Sequence, residues 1–109
     1  MAKHPVLDAD AVTAALDAPG GPDWHLIAGK LVKSVVCAGF VGALAYVGEV
    51  GRLAEAANHH PDIDIRYQRV TLALSTHDSG GITQLDLDLA RAIDGVTVGL
   101  DPGSDELAP

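Results

Sequence analysis

Residues 59–81 read HHPDIDIRYQRVTLALSTHDSGG, and this stretch decides the fold. It contains two runs in which apolar and polar residues alternate. The apolar positions are Ile63, Ile65 and Tyr67 in the first run and Val70, Leu72 and Leu74 in the second. Alternation with a period of two is typical of β-strands that bury one face. We therefore predict two strands that form an antiparallel hairpin turning near Gln68.

A helix and two further strands are predicted before this hairpin. Asp8 can cap a short helix that runs to about Leu16 and ends before the sequence APGGP. The segments DWHLI and LVKSVVC have the composition of strands, and the turn AGK separates them. Strands joined by a tight turn are antiparallel, so we predict a second hairpin here.

Two longer helices are predicted on either side of the opening stretch. From about Gly39 to Ala57 the apolar residues recur every three or four positions, which indicates one buried helix face. The residues assigned to that face are Phe40, Leu44, Val47, Val50 and Ala54. Asn58 tolerates the left-handed conformation and is predicted to end this helix. Thr83 opens the last helix, whose apolar side carries Leu85, Leu89, Ile93 and Val96.

The predicted order of elements is α-β-β-α-β-β-α. The fold class is therefore α+β, with three helices covering one face of a four-stranded antiparallel sheet. The 109 residues are expected to form a single domain, residues 1–109, with a core from about residue 8 to residue 97. The tail at residues 101–109 is short and acidic, and we predict that it is disordered.

The composition argues against several classes of function. The formal net charge is -8 and the seven Lys and Arg residues form no basic patch, which argues against nucleic-acid binding. No apolar run is long enough to span a bilayer as a helix, and the first residues do not resemble a signal peptide. Cys37 is the only cysteine, so no intramolecular disulfide can form. We expect Cys37 to be a small core residue of a cytoplasmic protein.

The predicted hairpin brings three histidines to the same end of the sheet. His59 and His77 are equidistant from Gln68, and His60 adjoins His59. Imidazole is well suited to exchanging protons near neutral pH, so the cluster is a candidate site for acid–base chemistry. Two other interpretations stay open: the paired histidines can cap the end of a helix, and three histidines can ligate zinc.

Two acidic residues have spacings that relate them to this cluster. Glu55 precedes His59 by four residues, so both lie on one helix face if the helix extends that far. A solvated helix carboxylate is the simpler interpretation of Glu55. Asp86 follows Thr83 by three residues, as in a capping box at the start of the last helix. That structural role is compatible with a place at the rim of a site.

The combination of these motifs resembles the signature of the pterin-4a-carbinolamine dehydratases. The matching segments are EAANHHP, the following Tyr67, STHDSGG and TQLD, in the order and at the spacing of that family. Trp24 and the segment HLIAGKLVKSVV are similar to the family's opening, so the resemblance covers residues 23–96. Ile63 is a departure, because many members carry Trp there. The missing ring removes an aromatic wall available to a flat pterin.

The resemblance implies an enzyme that uses neither a metal nor an organic cofactor. The substrate would be a tetrahydropterin with a hydroxyl group on C4a, which loses water to form a quinonoid dihydropterin. His59 and His77 would transfer the protons, and His60 would position the substrate or its hydroxyl. Glu55 would accept hydrogen bonds from the pterin or orient a histidine, and Asp86 would support the site.

The resemblance also implies further site residues and a self-associating protein. Asp78 and Pro61 belong to the matching motifs and are expected in supporting roles. Members of the family associate, so a homodimer or homotetramer is expected here. Two alternatives stay open: a non-catalytic pterin-binding or protein-interaction module of the same fold, and a metal-dependent hydrolase or lyase.

Overall fold

Four antiparallel strands form one sheet in the computed structural model, which describes residues 4–102. The strands are β1 (His25–Ile27), β2 (Lys30–Val36), β3 (Asp62–Arg66) and β4 (Arg69–Leu74), in the spatial order β1-β2-β4-β3. The helices are α1 (Ala9–Asp17), α2 (Gly39–Ala57) and α3 (Gln84–Asp94). The predicted α+β class and element order are therefore confirmed. None of the helices within residues 4–102 is long and apolar enough to cross a membrane.

The β3–β4 hairpin turns where the sequence predicts. Arg66 pairs with Arg69, so Tyr67 and Gln68 form a two-residue turn. Tyr67 has a φ of 53°, in the left-handed region that the first position of such a turn requires. The turn near Gln68 is thus confirmed, although its residues are not the ones that usually mark a hairpin.

Alternate residues of β4 form the centre of the core. Val70, Leu72 and Leu74 are fully buried, as their alternation predicts. Ile63 on β3 is 40% exposed, because β3 is an edge strand and has a neighbour on one side only. The alternation therefore predicted the buried face of β4 and overstated the burial of β3.

The buried face of α2 differs from the predicted one in the first half of the helix. Phe40 and Leu44 are about half exposed, whereas Gly42 and Ala43 are buried. A Cβ atom on Gly42 would lie 2.6 Å from the carbonyl oxygen of Gly99, so only glycine allows these two backbones to pack so closely. The prediction was wrong at Phe40 and Leu44 because close backbone packing turns the small residues inward.

Elsewhere the predicted core is confirmed in part, since Val47 and Leu85 are only partly buried. Val50 and Ala54 are buried in the second half of α2, and Leu89 and Ile93 are buried on α3. Cys37 is also fully buried, directly after β2. The core therefore lies between the helices and the inner face of β2 and β4.

The last described residues run back beside β2. Asp101 donates its backbone N–H to the carbonyl of Val36 at 3.1 Å, although it begins the tail that was predicted to be disordered. Residues 103–109 of that tail lie outside the described residues. Asp101 is therefore held by the sheet.

Candidate active site

A cleft of about 310 Å³ opens at the end of the sheet where β3 begins and β4 ends. His59, His60 and His77 line it together. Pro61 and Asp78 also line it, so five of the seven predicted site residues surround one cavity. The structure thus brings the two histidine motifs together at the end of the hairpin.

The end of α2 and the register of the hairpin bring these residues together. Asn58 ends α2 in the left-handed conformation, with a φ of 50°, as predicted. The backbone N–H of His59 donates to the carbonyl of Ala54 at 3.1 Å, which keeps His59 at the helix end. Because Asp62 pairs with Ala73, the residues just before β3 lie beside those just after β4.

Three further residues line the cleft, although the sequence did not indicate them as site residues. They are Asn58, Asp62 and Ser75. Asp62 also forms an ion pair with Lys30 of β2, with a distance of 3.0 Å between Oδ2 and Nζ. Each of the three adjoins a motif residue or a strand end. Adjacency in the sequence was the only signal that could have indicated these three residues. It is a weak signal, because polar residues at such positions are common.

His59 is mostly buried and contacts a fully buried carboxylate. Its Nε2 atom lies 2.5 Å from Oδ1 of Asp86, and the two side chains are 11% and 0% exposed. Asp86 lies in the first turn of α3, so this contact joins the end of α2 to the start of the last helix. One ring nitrogen of His59 is therefore engaged by the protein, which leaves the other for a ligand.

Asp86 also closes the capping box that its spacing from Thr83 predicts. Its Oδ2 atom accepts the backbone N–H of Thr83 at 2.9 Å, and Oγ1 of Thr83 accepts the N–H of Leu85 at 3.2 Å. The capping role of Asp86 is therefore confirmed, whereas its side chain is fully buried and does not itself line the cleft. One carboxylate oxygen caps α3, and the other contacts a histidine of the cleft.

His60 contacts the other carboxylate of the predicted site. Its Nε2 atom lies 2.5 Å from Oε2 of Glu55, and the two side chains are 55% and 79% exposed. The sequence predicts that Glu55 and His59 lie on one helix face if α2 extends to His59. The helix ends at Ala57 and the chain reverses at Asn58, so the carboxylate of Glu55 meets the ring of His60 instead.

His77 begins a tight loop at the exposed side of the cleft. The backbone N–H of Thr76 donates to the carbonyl of Gly81 at 2.8 Å, and the N–H of Gly80 donates to the carbonyl of Thr76 at 2.9 Å. The hydroxyl of Ser79 donates to the carbonyl of His4 at 2.8 Å, which ties the loop to the first described residue. The ring of His77 is exposed and open to exchange with solvent.

Two other ionisable groups are buried in the core and lie outside the cleft. Burial raises the pKa of the Cys37 thiol. Burial also raises the pKa of the Tyr46 phenol far above its usual range, with a smaller contribution from Cys37. Both groups therefore stay protonated near neutral pH and act as core side chains.

The zinc interpretation requires three side chains that converge on one point. In the part of the chain from residue 4 to residue 102, no three His, Cys, Asp or Glu side chains could hold a metal ion together. The Nε2 atoms of His59 and His60 each contact a carboxylate instead. The described residues thus contain no ligand set for that interpretation.

Comparisons with known proteins point to one family. The family model described as Pterin 4 alpha carbinolamine dehydratase matches residues 5–96. A relative from Chloroflexus aurantiacus is 58% identical over 73 residues, which are 67% of this chain and 78% of the relative. A relative from Herpetosiphon aurantiacus is 47% identical over 90 residues, which are 83% of this chain and 92% of the relative. Both are named provisionally as pterin-4-alpha-carbinolamine dehydratases.

A solved structure is similar over most of the chain. It is the crystal structure of a Brucella melitensis protein described as a transcriptional coactivator/pterin dehydratase. The TM-score is 0.73 at 28% sequence identity, and the match covers 82% of this chain and 95% of that chain. The similarity therefore extends from the sequence motifs to the fold.

Proposed function

The chain belongs to the pterin 4 alpha carbinolamine dehydratase family, and we propose that it dehydrates 4a-hydroxytetrahydropterins to quinonoid dihydropterins. The observation that carries the proposal is the cleft shared by His59, His60 and His77. Small-molecule sites have volumes of about 300–1,000 Å³. The cleft, at about 310 Å³, is at the small end of that range, which suits a bicyclic ring.

The proposed reaction is an elimination of water. A general acid protonates the hydroxyl group on C4a, and the C4a–O bond breaks as water leaves. A base removes the proton from N5, and the electron pair of that N–H bond forms the N5=C4a double bond. The two proton transfers balance and no electrons are gained or lost. We therefore propose a reaction that uses neither a metal nor an organic cofactor.

We assign the two proton transfers to His59 and His77. Asp86 holds the ring of His59, so its orientation is prepared before substrate binds. His77 is exposed and can exchange protons with solvent between turnovers. His60 positions the substrate or its hydroxyl, and Glu55 orients the ring of His60.

The other residues around the cleft contribute shape and polarity. Pro61 and Asp78 line the cleft, and we assign them supporting roles in binding. Ile63 follows the cleft residue Asp62 on β3 and is 40% exposed. Successive side chains of a strand point to opposite faces, and Ile63 is not among the residues that line the cleft.

The proposal is tested by the dehydration rate of synthetic 4a-hydroxytetrahydropterin. We expect the wild-type chain to accelerate it, also in the presence of a chelator. His59→Ala and His77→Ala should each lower kcat by roughly 10²- to 10⁴-fold, because each removes a proton-transfer group. His25→Ala is the matched control, since His25 is exposed on β1 at the opposite edge of the sheet from β3.

Two results would contradict the proposal in different ways. A wild-type chain that binds pterin without accelerating its dehydration would contradict the enzymatic function. Activity that disappears in chelator and returns with a metal would contradict the cofactor-free reaction alone.

Self-association through α2 is also part of the proposal, as a homodimer or homotetramer. Phe40, Val41 and Leu44 form an apolar face of α2, and their exposed fractions are 50%, 78% and 49%. Contact between copies would remove this face from water. We expect sedimentation analysis to give the mass of two or four chains, and Val41→Glu to lower it. A wild-type monomer at micromolar concentration would contradict this part.

The same apolar face supports an alternative function as a non-catalytic pterin-binding or protein-interaction module. The Brucella melitensis relative is described as a transcriptional coactivator as well as a pterin dehydratase. A stoichiometric protein partner, together with a wild-type chain that has no dehydratase activity, would favour this alternative. Activity that depends on His77 would favour the enzyme.

A further inference from the structure

Two buried threonine hydroxyls lie next to the carboxylate that contacts His59. Oγ1 of Thr76 lies 2.8 Å from Oδ2 of Asp86 and 2.8 Å from Oγ1 of Thr83. Thr76 is 6% exposed and Thr83 is fully buried. Buried hydroxyls need hydrogen-bond partners, and here the partners connect them to the cleft.

The hydrogen bonds of this group follow one direction. A threonine hydroxyl carries a single hydrogen. Thr76 donates its hydrogen to Oδ2 of Asp86, so its oxygen must accept from the hydroxyl of Thr83. The oxygen of Thr83 in turn accepts the backbone N–H of Leu85. Each donor in the series therefore points toward Asp86.

The two oxygen atoms of the Asp86 carboxylate have different hydrogen-bond partners. Oδ2 accepts the hydroxyl of Thr76 at 2.8 Å and the backbone N–H of Thr83 at 2.9 Å. Oδ1 lies 2.5 Å from Nε2 of His59. An ionised carboxylate only accepts hydrogen bonds, so the hydrogen between these two atoms belongs to Nε2.

We infer that Thr76 and Thr83 are positioning residues that act on His59 through Asp86. By engaging Oδ2, they direct Oδ1 to the Nε2–H of His59 and keep the neutral ring in the Nε2–H tautomer. Nδ1 is then the nitrogen that exchanges a proton with a substrate in the cleft. The catalytic part of this inference rests on the proposed function, and the tautomer part does not.

Thr76 has a second connection to the site through its backbone. Its N–H and carbonyl groups bond to Gly81 and Gly80 and close the loop that begins at His77. One residue therefore links the orientation of His59 to the position of His77. Removing only the hydroxyl of Thr76 tests the side-chain link, because the backbone bonds do not depend on it.

Nitrogen NMR of the histidine rings tests the inference in the full chain without substrate. We expect neutral His59 of the wild type to be mostly the Nε2–H tautomer. Thr76→Val removes the hydroxyl at nearly constant shape and should give a mixture of tautomers. It should also lower kcat by roughly 10- to 100-fold, with a smaller change in KM. Thr76→Ser keeps the hydroxyl and should recover both the tautomer and the rate.

Thr71→Val is the matched control, on the strand that precedes Thr76. Thr71 lies on β4, and its hydroxyl contacts that of Ser34 at 2.6 Å, away from the cleft. We expect the wild-type tautomer and rate in this variant. Loss of the Nε2–H tautomer in Thr71→Val as well would show a general effect of the substitution and overturn the specific role of Thr76.

Two further results would overturn the inference. An unchanged tautomer and an unchanged kcat in Thr76→Val would remove the role of the threonines. A wild-type ring in the Nδ1–H form would overturn it even if Thr76→Val failed to fold. Conversely, a tautomer shift in Thr76→Val of a chain without dehydratase activity would uphold the positioning role and contradict the proposed function.

Discussion

The adjacent residues His59 and His60 make the same kind of contact in two different environments. In each case Nε2 lies 2.5 Å from a carboxylate oxygen, of Asp86 for the first and of Glu55 for the second. The side chains of His59 and Asp86 are 11% and 0% exposed, whereas those of His60 and Glu55 are 55% and 79% exposed. Water competes with the second contact and hardly with the first, so equal distances do not mean equal energies.

The difference extends to what holds each carboxylate. Asp86 accepts hydrogen bonds from Thr76 and Thr83 and has no freedom to rotate away from His59. Glu55 extends from the exposed end of α2 into solvent. A fixed carboxylate gives an imidazole one orientation, whereas a mobile one only favours an orientation. We therefore expect the buried pair to determine the geometry of the cleft and the exposed pair to adjust it.

The largest effect is expected when the buried pair is broken. Asp86→Ala leaves His59, Thr76 and Thr83 without their acceptor, and we expect it to lower the free energy of unfolding by about 3–5 kcal/mol. Urea denaturation measures this loss. Glu55→Ala is the matched control and should change stability little, because its pair is exposed. Equal losses in the two variants would show that burial does not distinguish the pairs.

An intermediate effect is expected when the exposed imidazole is removed. His60→Ala should raise KM by about tenfold with a smaller change in kcat, since the loss corresponds to about one hydrogen bond to substrate. Steady-state kinetics with the 4a-hydroxytetrahydropterin separates the two constants. If His60→Ala lowered kcat as much as His59→Ala, the two histidines would have equal roles in proton transfer.

The smallest effect is expected when only the charge of the exposed pair changes. Glu55→Gln should lower kcat/KM by less than about fivefold, and the difference from wild type should shrink as salt is added. Asp86→Asn is the comparison variant, whose larger effect should persist in high salt because its site excludes water. A salt-independent effect of Glu55→Gln would indicate direct contact between Glu55 and substrate.

Much of the site was predictable because it depends on local patterns. The alternation of residues in β4 indicates which of its positions are buried, and the turn near Gln68 brings His59 and His77 to the same end of the sheet. Thr83 and Asp86 follow the capping-box pattern, which is local to one helix turn. The structure agrees with such local patterns because hydrogen bonds between nearby backbone and side-chain groups stabilise them.

Other features could not be predicted because they depend on single angles and on distant segments. The left-handed conformation of Asn58 decides that Glu55 meets His60 and not His59. The approach of Gly99 decides that Gly42 is buried while Phe40 is exposed. Neither contact has a periodic signature, and apolar size alone ranks Phe40 above Gly42.

The sequence by itself determined the order of the elements, the approximate position of the β3–β4 turn and the meeting of the two histidine motifs at one end of the sheet, because these follow from short-range periodicity and spacing. The register of the hairpin was decided by its two-residue turn, in which Arg66 pairs with Arg69. Only the tertiary structure decided that His59 is buried against Asp86 and His60 is exposed beside Glu55. It also decided that Thr76 and Thr83 share the Asp86 carboxylate. Burial depends on what packs over a residue, and the packing partners of Asp86 come from three separate segments of the chain.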